Sequence, residues 1–119
     1  QDELYPLALK KKVSIIAAGV FNSGVLANPV PGAYYDYEPA SNEIIEKARA
    51  IGKYLEKFDI SLPAAALQFP LRHPAVASVL TGAGSVKELR ENIANFDAQI
   101  PDDIWSQMET EGLISKIPV

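Results

Sequence analysis

The chain has 119 residues, 48% of them hydrophobic and 22% charged. That is the balance of one globular domain, yet far short of the roughly 250 residues of a closed α/β barrel. A net charge of −4 and a pI near 4.9 argue against nucleic acid or an anionic membrane as partner, since both demand a basic surface. Cysteine is absent, which excludes disulfides and thiolate metal sites. No apolar run approaches the roughly 20 residues of a membrane span, and the polar, acidic opening is not that of a signal peptide. The expectation is a cytoplasmic chain and, as it does not open on Met, a piece of something longer.

In chain order, Leu4 to Lys12 reads as the end of a helix, closed by Lys10, Lys11 and Lys12, cations that suit a helix C-terminus. Val13 to Ala18 is apolar and β-branched, hence a strand. Gly19 to Gly24 breaks the pattern, a loop leaving that strand's C-terminal end. Asn28 to Ala40 holds three prolines and a glycine, which forbid a continuous helix or a central strand. Tyr34, Tyr35 and Tyr37 crowd this loop, placed either to touch a ligand or to fold back and pin the loop down.

Ser41 is positioned to cap a helix from Asn42 to about Phe58, with Ile45, Ala48, Ile51, Leu55 and Phe58 on its buried side. Ser61 and Pro63 restart a helix over Leu62 to Phe69, almost wholly apolar, which Pro70 and Pro74 end. Val76 to Leu80 is short and apolar, a buried strand. The order strand, loop, two helices, strand is a βαβ crossover, which requires the strands to run parallel. Asp102 and Asp103 start the last helix, with Ile104, Trp105 and Met108 on its apolar side and Gly112 at its end. Trp105 reads as a packing anchor.

The stretch Val76 to Phe96, VASVLTGAGSVKELRENIANF, carries the chemistry. After the strand, Thr81 to Gly84 forms a side-chain-poor turn. Ser85 to Glu88 has the S-x-x-E spacing of a capping box, and Val86, Leu89, Ile93 and Phe96 give the ensuing helix an apolar face. Strand, glycine turn and capped helix together present free N–H groups at the positive end of a helix dipole, where anions and phosphate bind. The same residues also suit a plain tight turn. The G-x-G-x-x-G fingerprint fails at Lys87, and no Gly-Lys-Ser/Thr exists for a P-loop.

A self-contained catalytic set is missing. His73 is the single histidine and has no companion ligands for a metal; it reads as structural. No serine sits in a G-x-S-x-G elbow. Acidic residues such as Glu43, Glu46, Glu88 and Glu91 fall on polar helix faces.

Val13 to Ala27, VSIIAAGVFNSGVLA, and Val79 to Asn92, VLTGAGSVKELREN, resemble the seventh and eighth strand regions of aldo-keto reductases. The phrases NSGVLANP, AALQFPLRHPAV and IPDDIW…GLI are similar to the sugar-oxidising branch, the L-fucose and D-threo-aldose 1-dehydrogenases. The likeness runs from about residue 5 to 114. It implies an α/β fold: the C-terminal part of a (β/α)8 TIM barrel, about the last two βα units plus a C-terminal helix, with residues 1–119 forming one segment of a single barrel domain. It implies an NAD(P)-dependent oxidoreductase acting on an aldose C1, with a sugar or aldehyde as substrate. In the family the loops after strands seven and eight bind the cofactor. Carried over, Ala18 and Gly19 lie at the nicotinamide end and Val20, Phe21, Asn22 and Ser23 cross the pyrophosphate. Gly82, Ala83, Gly84 and Ser85 hold the adenosine phosphate, with Glu88, Glu91 and Asn92 on the next helix and Glu91-Asn92 near the adenine.

Three departures shape the expectation. Ala18 stands where many members stack a tyrosine on the nicotinamide, and Tyr34, Tyr35 and Tyr37 replace it only if their loop folds inward. Gly82 and Glu88 occupy the basic positions of NADP-specific members. A carboxylate repels a 2′-phosphate but accepts a bond from a ribose hydroxyl, so NAD is expected over NADP; Glu88 serving only the capping box, with Lys87 and Arg90 reaching a 2′-phosphate, is the competing reading. Finally, the family's catalytic Asp, Tyr, Lys and His belong upstream, so no catalytic residue is assigned to this chain and the missing N-terminal barrel part is an expected partner. The alternative is a non-catalytic interaction module that keeps the barrel fragment as a scaffold.

Overall fold

The computed structural model of the chain describes residues 2–117; the first residue and the last two of the segment lie outside it. Helix α1 spans Leu4–Lys11 and ends because Lys12 turns left-handed (φ 57°), its N–H reaching back to the Ala8 and Leu9 carbonyls. Strand β1, Ile15–Ala18, begins two residues later than expected. A short 3-10 turn at Asn22–Gly24 follows, then a hairpin of two-residue strands, β2 (Tyr34–Tyr35) and β3 (Glu38–Pro39). The sequence does not announce that hairpin: its turn, Asp36-Tyr37, lacks the asparagine and glycine that two left-handed residues favour.

Helix α2, Asn42–Glu56, starts where expected, with Ser41 Oγ accepting from the Ile44 N–H. It stops before Phe58, which is exposed rather than buried and leans on the Tyr54 ring. Tyr54 takes the buried place instead, bonded to Gln107 at 2.7 Å. Helix α3, Leu62–Gln68, is capped by Ser61, has Pro63 in its first turn, and gives way to a 3-10 turn at Phe69–Arg72. Strand β4, Val76–Leu80, lies parallel to β1, with Ile15 beside Val76 and Ala18 beside Leu80. Helices α4, Val86–Asp97, and α5, Asp102–Thr110, complete the chain. The result is an α/β arrangement of two parallel βα units and a terminal helix; among the described residues the parallel pair β1 and β4 does not close into a barrel.

The core sits among the helices. Leu55 and Met108, both at 0% exposure, meet Ile45, Ala48, Ile60, Trp105 and Val25 between α2, α3 and α5. Each buried Val, Leu, Ile or Met side chain among them contributes about 1.5–3 kcal/mol through removal of apolar surface from water. Trp105 is the anchor expected of it, packed on Phe69 and lying under the Arg72 guanidinium, which pairs with Glu109 at 2.6 Å. The sheet side differs. Ile16 and Leu80 are exposed, and so is the whole apolar face of α4: Val86, Leu89, Ile93 and Phe96.

Candidate functional site

Because β1 and β4 run parallel and end level, at Ala18 and Leu80, the loops that leave them emerge side by side. Gly19, Val20, Phe21, Ser23 and Gly24 of the first loop share a cleft of about 270 Å³ with Leu80, Thr81 and Gly82 of the second. Ala18, Gly19, Val20 and Asn22 border a second, larger and mostly apolar cavity of about 380 Å³ that Trp105 and Met108 also line. The first loop turns at Gly19 (φ 67°), where a side chain would be strained, and is closed by bonds from Asn22 N–H to the Gly19 carbonyl and Gly24 N–H to Phe21.

The second loop meets α4 as the S-x-x-E spacing anticipates, with one difference. Ser85 Oγ accepts from the Glu88 N–H at 3.1 Å, but the Glu88 carboxylate reaches past Ser85 to accept the Gly84 N–H at 2.6 Å. An exposed helix start thus carries its own anion. Among the described residues the N–H groups of Gly82, Ala83 and Ser85 make no hydrogen bond, and a Cβ at Gly82 would meet nothing within 4 Å. Open space before unpaired amides at a helix N-terminus fits a phosphate-bearing group. Asn92 Nδ2 approaches the Gly82 carbonyl at 3.4 Å, tying α4 to the loop, and Glu91 faces Lys87 at 3.8 Å.

The tyrosine hairpin docks on the first loop. Val25 N–H donates to the Tyr34 carbonyl at 3.0 Å and Tyr37 N–H to Ser23 Oγ at 2.9 Å. None of the three tyrosines lines the cavity beside Ala18, so the loop does not fold inward to that position. His73 is buried, its Nδ1 accepting the Ala75 N–H and its ring edge-on to Tyr5; it has a packing place. Among the described residues no group of three His, Asp or Glu side chains is arranged to hold a metal, and no helix is long and apolar enough to cross a membrane.

Two parallel βα units whose loops emerge side by side at the C-terminal ends of the strands suit a segment of an α/β barrel. The chain belongs to the aldo/keto reductase family, whose model matches residues 1–111. It is 43% identical over 116 residues to pyridoxal 4-dehydrogenase of Microbacterium luteolum, covering 97% of this chain and 34% of that protein. To D-threo-aldose 1-dehydrogenase of a Pseudomonas species it is 33% identical over 114 residues, 94% of this chain and 35% of the relative. L-galactose dehydrogenase of Arabidopsis thaliana is 29% identical over 92 residues, 77% and 28% respectively. The chain therefore spans about a third of the length of these relatives. Its fold is the C-terminal part of the family's barrel: the last two βα units and a terminal helix.

Proposed function

We propose that the chain is the cofactor-binding segment of an NAD(P)-dependent dehydrogenase, a single barrel domain of which residues 1–119 form the C-terminal portion. The bound nicotinamide would supply hydride transfer. This chain's part is to hold the dinucleotide: Ala18 and Gly19 at its nicotinamide end, Val20, Phe21, Asn22 and Ser23 along the pyrophosphate, and Gly82, Ala83, Gly84 and Ser85 at the adenosine phosphate. Glu88, Glu91 and Asn92 border the adenosine from α4. The observation that carries this reading is the shared cleft between residues 19–24 and 80–82. Proton transfer and substrate orientation fall to residues outside this chain, and we place the whole in the cytoplasm.

The substrate class that suits the relatives best is an aldose oxidised at C1; the pyridoxal 4-dehydrogenase likeness marks an aldehyde-bearing ring as the nearest competitor. NAD is the preferred cofactor because Glu88 stands against the loop, where a 2′-phosphate would meet a carboxylate. The exposed Ile16, Leu80 and α4 residues form the face that the rest of the barrel covers. Calorimetric titration of the full protein with NADH and NADPH tests both points. Tighter binding of NADH, shifted toward NADPH by Glu88→Arg, is the expected result; no gain for NADPH in that variant removes the cofactor preference. Failure to bind either dinucleotide removes the function and leaves the scaffold module.

A further inference from the structure

Helix α4 ends without the devices that its own sequence could supply. Its last turn holds no basic residue, its cap residue Ala98 is extended, and no glycine follows. Carbonyls at a helix C-terminus lack partners within the helix, and here the donor comes from another helix. Gln68, the last residue of α3, sends its carboxamide Nε2 to the carbonyls of Asn95 at 3.0 Å, Phe96 at 3.1 Å and Ala98 at 2.8 Å. Two N–H bonds thus serve three acceptors. The start of α3 holds the same turn, since Ser61 Oγ donates to Asn95 Oδ1 at 3.0 Å. Between those points Ala64, Ala65, Ala66 and Leu67 are all buried, so the last turn of α4 is fastened to the core.

The other end of α4 has no such anchor. Among the described residues none of its side chains is fully buried. Its 12 residues, about 18 Å of helix, separate the clamp from Ser85, Glu88 and the loop they adjoin. A helix moves as a rod, so a change of angle at the clamp displaces its start. We infer that Gln68 is a positioning residue for the cofactor site: its carboxamide fixes the last turn of α4 and thereby sets where Glu88 stands against Gly84. This rests on the proposed reading of the loops and of Glu88 as the group that disfavours a 2′-phosphate. Gln68 acts through α4 and touches no ligand.

The test titrates the full protein with NADH and NADPH by calorimetry, with thermal unfolding recorded for each variant. Gln68→Glu sets a carboxylate against three carbonyls, and Gln68→Met deletes the donors without adding charge, which keeps the test open where the glutamate variant fails to fold. In both, the ratio of the NADPH to the NADH dissociation constant should move toward one by about two- to tenfold, the range for a change made away from the ligand. Gln68→Arg returns donors that suit a helix C-terminus and should keep the parent ratio. A parent-like ratio in the methionine variant, whatever its unfolding temperature, overturns the inference, since the clamp then only stabilises the fold. An arginine variant that loses the ratio as fully as the methionine variant also overturns it, because donors are then not what sets the helix. A parent that binds both dinucleotides equally ends this inference together with the cofactor preference, and a parent that binds neither ends the proposed function as well.

Discussion

The helical cluster and the sheet side of this chain handle apolar residues in opposite ways. Between α2, α3 and α5, the side chains that the helical period marks as inward are inward: Ile45, Ala48, Leu55, Ile104, Trp105 and Met108 all close on one another. Helix α4 has an equally clear apolar stripe, yet Phe96 is 47% and Ile93 55% exposed. Periodicity says which face is buried, not what buries it. In the first region the partner is in the chain; in the second no described residue buries the stripe, and on the function proposed here its cover is the part of the relatives' length that this chain does not span.

The sharpest way to break that comparison is to truncate one residue on each side. Leu55→Ala should cost about 2–5 kcal/mol, read by denaturant unfolding, whether the chain is alone or part of the full protein. Phe96→Ala should change the stability of the isolated chain by less than about 0.5 kcal/mol but cost about 3–5 kcal/mol in the full protein. Equal small effects in both settings would show that the α4 face is a free surface. Smaller in size, Ser85→Ala removes the cap of α4 and should cost about 1 kcal/mol, with amide exchange speeding first at the start of that helix.

The smallest effect belongs to Tyr54. Burial, then the carboxylates of Glu111 and Asp103, raise its pKa above 10.0, while Lys57 lies over its ring. A folded pKa above the unfolded one means the native state holds the proton more tightly. Its contribution is complete below pH 10 and is lost as pH climbs through the folded value. Tyr54→Phe should therefore show a shallower loss of stability above pH 10 than the parent, in unfolding curves taken across that range.

Much of this architecture is legible in the residues themselves. Ser41, Ser61 and Ser85 cap helices where their spacing says they should, and the order of elements demands the parallel pairing that β1 and β4 adopt. What escapes is tertiary. The hairpin at Tyr34 to Pro39 has no turn residue to betray it, and Tyr54 rather than Phe58 is buried because α2 ends at Glu56. The two loops are legible as turns leaving strand ends, and their side-by-side placement follows from the parallel pairing that the order of elements demands. That Glu88 bonds Gly84 rather than its own cap residue is likewise a matter of side-chain geometry, not spacing.

The central claim, that the two loops hold one dinucleotide between them, is tested most directly by hydrogen exchange on the full protein with and without NADH. Amides of residues 19–23 and 82–85 should slow together on addition of the nucleotide, over the same concentration range. Slowing in one loop alone, or in neither while NADH still binds, would contradict it.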